Sequence, residues 1–209
     1  MAGKFEKTEN KKPKWPKIAA LCLLLIAVVL LLAYCLYAGN DKPLLTVQTP
    51  QKISLANSGE FTLDVTVNRL GQALYPAASM SIRFDPSRLE FLGVAEGNVF
   101  IHDDENQAGI AQGLPQWSCN PQACNESGLI NIMYLDMTGG RHAFSQELLA
   151  EEDNVVLRLR FRLRGSARAG DVLDVVLEDA VFAASDESQS LAMTTDTLRT
   201  KNGKIVVGE

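Results

Sequence analysis

Phe61-Thr-Leu-Asp-Val-Thr-Val67 alternates apolar and polar residues with a period of two. Such alternation sends successive side chains to opposite faces of an extended strand. The pattern recurs in short runs at Leu44–Gln48, Ala77–Phe84, Leu89–Ala95, Val99–Ile101, Leu129–Leu135, Val155–Arg164, Val172–Leu177, Val181–Ala184 and Lys204–Val207, broken by Gly, Pro, Asn and Asp. From Leu44 onward no long stretch repeats at the 3.6-residue period of an amphipathic helix. Nine or ten short strands in about 165 residues, most of them apolar on one face, predict an all-β sandwich. Each sheet hides one face against the other and leaves its second face wet.

One segment does not fit this pattern. Residues 18–37 read IAALCLLLIAVVLLLAYCLY, twenty residues without a charge. A helix of that length is about 30 Å long and crosses the hydrocarbon of a bilayer. Six lysines and two glutamates precede it, which places residues 1–17 in the cytoplasm and sends the rest across the cell membrane. Trp15 on one side and Tyr34 and Tyr37 on the other suit the two interfacial belts. A cleaved signal peptide would have a shorter apolar core and a small-x-small site, whereas Leu36 precedes Ala38 here. The expectation is an uncleaved single-pass anchor, a short linker at 38–43, and an extracytoplasmic β-domain over 44–208. Cys22 and Cys35 then act as apolar filler within the anchor.

The net charge of −5 conceals an asymmetry: the basic tail carries +4, so the exported part carries −9. A domain this acidic is a poor nucleic-acid binder, because such affinity rests on neutralising phosphates. Outside the cytoplasm the close pair Cys119 and Cys124 reads as a disulfide, with a two-cysteine metal site as the alternative. Two long polar insertions interrupt the strands. The first, 102–128, holds that cysteine pair, Trp117 and an acidic run from His102 to Glu105. The second, 139–154, includes a stretch from Ser145 to Glu152 with room for one or two helical turns. The acidic run lacks the ligand spacing and turn glycine of a calcium loop. Trp117 is a candidate for stacking on a sugar ring or, more plainly, for anchoring the loop. His102 and His142 are the only histidines, no nucleophile motif accompanies them, and an enzyme is not expected. Asn125-Glu-Ser127 has the form of a glycosylation sequon.

Phe84-Asp85-Pro86-Ser87-Arg88-Leu89-Glu90-Phe91, followed by Gly97-Asn-Val-Phe100, resembles the cohesin domain, where a strand ends in aromatic-Asp-Pro and the next begins Leu-Glu. The likeness extends from Ser58-Gly59-Glu60 through Gly128–Tyr134 and Val155–Arg164 to Asn202–Val207, about residues 44–208. It implies a nine-stranded jelly-roll sandwich and a non-enzymatic role. Cohesins hold calcium-loaded dockerin modules, often on polysaccharide-degrading enzymes, through one exposed sheet face. Calcium is then expected on the partner, and no cofactor on this chain. Carried over by position, the partner-contacting residues fall at Ala77 and Ser79, with Ser81 and Arg83 on the same outward face, and at Asp136 beyond a later strand. Ala77 and Ser79 stand where well-known members present an amide and a carboxylate. The expected function is a membrane-held adaptor for an exported protein; the alternative is a carbohydrate-binding module using Trp117.

Val155–Arg164 reads VVLRLRFRLR, with arginine at every second position from Arg158. Leu157, Leu159, Phe161 and Leu163 then face inward and the arginines outward. The family topology sets this strand beside Phe61–Val67 and the strand starting at Leu89, whose outward residues include Glu60, Asp64 and Glu90. The stripe is therefore expected to be a cross-paired charge ladder, with an anionic partner as the alternative.

Overall fold

A computed structural model of the chain describes residues 23–34, 42–48, 52–57, 59–103, 111–139, 141–185, 192–194 and 196–209. The chain divides into two units, Met1–Lys42 and Pro43–Glu209. In the first, residues 23–34 form helix α1, with every side chain exposed. The expected span 18–37 is thus described only in its central part. The basic tail, both cysteines of the span and most of the linker lie outside the described residues. Among the described residues no helix is long and apolar enough to cross a membrane.

The second unit is built from strands β1 (Leu44–Val47), β2 (Ile53–Ser54), β3 (Glu60–Val67), β4 (Ala77–Arg83), β5 (Leu89–Glu96), β6 (Ile101–Asp103), β7 (Ala111–Gly113), β8 (Leu129–Leu135), β9 (Val155–Leu163), β10 (Val172–Ala183), β11 (Arg199–Lys201) and β12 (Gly203–Gly208), with helix α2 (Pro121–Ser127). One sheet has the order β11-β1-β3-β9-β5 and the other β2-β12-β10-β4-β8; β6 and β7 form a separate ribbon. The two larger sheets close on a single apolar core, as the alternation requires. On β9 Leu157, Leu159 and Phe161 are fully buried, and on the opposite sheet Ile82, Val175 and Phe182 are too. Phe161 lies at the centre of an aromatic cluster, 5.5 Å from both Phe84 and Phe91 and 6.2 Å from Phe61 between ring centroids.

The Asp-Pro corner works as its residues suggest. Asp85 Oδ1 accepts the Ser87 N–H (2.9 Å) and hydroxyl (2.6 Å), while its carbonyl accepts the Leu89 N–H at 2.9 Å. Pro86 cannot extend the preceding ladder, and Leu89 re-enters the core completely buried.

Three expectations need correcting. The runs 172–177 and 181–184 are one strand, β10, with a register shift between Leu177 and Asp179. The extra residue flips the parity, so Leu173, Val175 and Leu177 point inward before it and Ala180 and Phe182 after it. The 102–128 insertion is not all loop. Asn120 caps α2 by accepting the Ala123 N–H, Pro121 sits in its first turn, and Gly128 closes it with φ 71°. Finally, Cys119 and Cys124 are both free thiols, so the expected disulfide is absent. The residues between them are wound into the start of α2, which carries Cys124 into the core and leaves Cys119 on the extended segment before it. Burial, and next the neighbouring Cys124, push the Cys119 thiol upward, so it is a poor nucleophile.

Candidate functional site

The sandwich has two outer faces, and their chemistry differs. On the β3-β9-β5 face the arginines are answered one by one. Arg158 Nε lies 3.2 Å from Asp64 Oδ1, Arg160 forms a two-pronged pair with Glu60 (Nη2 to Oε2 2.9 Å), and Arg162 Nη1 lies 3.8 Å from Glu90 Oε2. Arg164 donates to the Leu89 carbonyl at 3.1 Å. The hydrogen bond from Arg160 holds the Glu60 carboxyl below its ordinary range, against a smaller opposing effect of burial. This is the expected ladder. Its charges neutralise one another and leave little for an anionic partner.

The exposed edge of that sheet is closed as well. Asn125 on α2 donates to the Phe91 carbonyl (2.8 Å) and accepts the Phe91 N–H (2.9 Å), as a neighbouring strand would. Its amide also donates to the Pro121 carbonyl at 2.8 Å. The sequon asparagine is therefore spent on the fold.

The outer face of β10-β4-β8 is different. From β4 it presents Ala77, Ser79, Ser81 and Arg83, and from β8 Leu129, Asn131, Met133 and Leu135, in the cross-strand pairs Ala77–Leu135, Ser79–Met133, Ser81–Asn131 and Arg83–Leu129. β10 adds Val181 opposite Ser79 and Ala183 opposite Ala77. Ser118 extends the face, bridging the edge of β8 through Met133 with bonds of 2.7 and 3.0 Å. One end of the face is polar and internally satisfied. Ser81 donates to Asn131 at 2.9 Å, and Arg83 grips Glu178 with bonds of 2.5 and 2.9 Å. The other end is apolar and uncovered: Met133 is 51% exposed, Leu135 52% and Met137 84%. Small residues at Ala77, Ser79 and Ala183 leave a shallow groove of about 120 Å³ beside Met133. A larger depression of about 350 Å³ opens between Leu114 and Gln116 on one side and Leu135 and Met137 on the other. Exposed apolar side chains this close together mark a surface meant to be covered.

Of the residues expected to contact a partner, Ala77, Ser79, Ser81 and Arg83 thus share one face. Asp136 lies just beyond β8, but its side chain is fully buried. Its Oδ1 accepts the Thr138 N–H (2.8 Å) and hydroxyl (2.6 Å), and its Oδ2 accepts the His142 N–H at 3.3 Å. It therefore shapes the 136–142 turn and presents no carboxylate to solvent. His142 Nδ1 faces both Asp136 (3.4 Å) and Thr138 Oγ1 (3.3 Å). A catalytic triad needs acid and nucleophile on opposite ring nitrogens, so this cluster is structural. Tyr134 secures the same turn by donating to the His142 carbonyl at 2.9 Å, and its phenol is pushed up to about 12 by burial and secondarily by Asp136.

Trp117 is half-buried and packs against Phe144 at 5.8 Å and edge-on against Tyr134 at 6.0 Å. Its ring anchors the loop and is spent on packing. Met133, Leu135 and Met137 were not among the expected site residues. A signal for two of them was present: Leu129–Leu135 is apolar at both parities except at Asn131, which marks a strand with two apolar faces.

Residues 46–206 match the family described as the cohesin domain. No curated protein matches the chain. Among solved structures, it is similar to the cohesin of OlpC from Clostridium thermocellum in a type I cohesin–dockerin complex (14% identity, TM-score 0.56), covering 80% of this chain and 94% of that one. It is also similar to the sixth cohesin of scaffoldin B from Acetivibrio cellulolyticus in complex with a mutant dockerin (16%, TM-score 0.55), covering 80% and 99%. The third ScaC cohesin from the same organism, also solved with a dockerin, gives 14% identity, a TM-score of 0.54 and the same coverage. At these identities the likeness speaks for the fold, which agrees with the sandwich described above. The match over residues 46–206 establishes the rest: this chain belongs to the cohesin domain family, whose members are non-catalytic protein-binding modules.

Proposed function

We propose that this protein is a membrane-held cohesin that captures a dockerin-type exported protein through the outer face of β10-β4-β8. The uncovered apolar end of that face carries the reading. Met133, Leu135 and Met137 stand out to solvent while the arginine face is fully paired. Burying such side chains against a partner removes apolar area from water at roughly 25 cal/mol per Å². The charge-free segment 18–37, with lysines before it, holds the module at the cell surface or in the periplasm. The captured partner is a component of a polysaccharide-degrading system, and it carries the calcium.

The test is capture by the full chain in membranes, with and without calcium. Dockerin-bearing proteins retained only with calcium, and lost when Met133 and Leu135 are both replaced by Glu, support the reading. Capture that ignores calcium and survives those replacements contradicts it. Extraction of the chain from membranes by carbonate would refute the anchor separately.

A further inference from the structure

We infer that partner choice in this chain is set at the 136–142 turn, by an apolar side chain seated in the depression beside Leu135 and Met137 and a carboxylate placed on Arg141. The inference rests on the proposed capture function and refines it. Three observations combine. First, the polar end of the face has little capacity left to offer, because Ser81 is bonded to Asn131 and Arg83 to Glu178. Second, the depression of about 350 Å³ is walled by Leu114, Ile101, Leu135 and Met137, a volume suited to one or two bulky side chains. Met137, at 84% exposure, is the most open large apolar residue in the described structure. Third, Arg141 on the same turn is exposed and has no ion pair among the described residues. The one carboxylate in that turn, on Asp136, points inward and is consumed by Thr138 and His142.

The turn therefore carries an exposed apolar residue, Met137, and an exposed cation, Arg141, that has no ion pair among the described residues. This contrasts with Arg158, Arg160 and Arg162 of the other face, each of which has its acid. The complementary surface is a helix of a dockerin-type module with Leu, Met or Phe next to Glu or Asp. Asp136 braces this segment from within, accepting hydrogen bonds from Thr138 and from the His142 N–H. The polar identities expected at Ala77 and Ser79 are absent, and this pairing takes over their role in selecting the partner.

The experiment is a display library of dockerin modules with randomised helix surfaces, sorted with calcium against the full chain in lipid nanodiscs. The enriched modules are expected to carry an aliphatic or aromatic residue followed within one helical turn by Glu or Asp. Their affinity should fall roughly tenfold or more with Met137→Glu, as for other central anchors. Arg141→Glu should weaken the same modules and select instead for Lys or Arg at the acidic position. Both residues are on the surface, and unchanged thermal unfolding of the variants confirms that the fold persists. Modules that bind but are indifferent to Met137→Glu and Arg141→Glu, and lose binding with Ser79→Arg, overturn the inference while leaving the capture function standing. Failure to enrich any module overturns both.

Discussion

The two wet faces of this sandwich have the same origin, alternate residues of half-buried strands, yet they reached opposite solutions. On β9 the outward Arg158, Arg160 and Arg162 each meet a carboxylate, and Arg164 just beyond the strand donates to a carbonyl. On β8 the outward positions include Met133 and Leu135, each about half exposed. A paired ladder discourages association, since a partner would have to break pairs already made. An apolar patch beside satisfied polar groups does the reverse. Under the proposed function, the face left unfinished is the one that binds.

The contrast can be broken in several ways. The largest effect is expected from Phe161→Ala, which removes the ring common to three aromatic contacts. It should cost about 3–5 kcal/mol in urea unfolding and disable both faces together. Replacing Met133 and Leu135 together with Glu should lower partner affinity roughly a hundredfold by calorimetry, with the melting temperature nearly unchanged. The matching triple replacement of Arg158, Arg160 and Arg162 with Gln should leave partner binding intact; a comparable loss there would erase the distinction between the faces. Asn125→Ala opens the edge of β5 by deleting both bonds to Phe91 and should cost about 1–3 kcal/mol. The smallest effect concerns acid. The Glu60 carboxyl is held below its ordinary 4.5, so its pairing stabilises the fold above that value and is lost as pH falls through the lower folded value. In Arg160→Gln the urea midpoint should therefore decline less between about pH 5 and about pH 2 than in the parent.

Alternation announced the longer strands and the inward set on β9, though not the short β2, β7 and β11, and opposite charges on neighbouring strands announced the ladder. The bulge in β10 was hidden because the alternation breaks into two runs, 172–177 and 181–184, whereas one extra residue within a single strand accounts for both parities. Helix α2 has its signals in Asn120, Pro121 and Gly128, but they fall within a polar insertion too short to show periodicity. The cysteine pairing was misread because spacing carries no information about the helix that separates the thiols. Asp136 was placed correctly along the chain, but its burial depends on how Thr138 and His142 fold back over it, a tertiary fact. Met137 and Arg141 carry no periodic signal, and only the turn brings them out.

The most direct test is hydroxyl-radical footprinting of the full chain with and without a bound dockerin-type partner, read at Met133 and Met137. If the β10-β4-β8 face is the recognition surface, oxidation of both methionines falls several-fold on binding, while the peptide covering Val155 to Arg164 is unchanged. Unaltered methionines together with protection of the arginine strand would mean that the paired face binds the partner, and the assignment of function to the apolar face would be wrong.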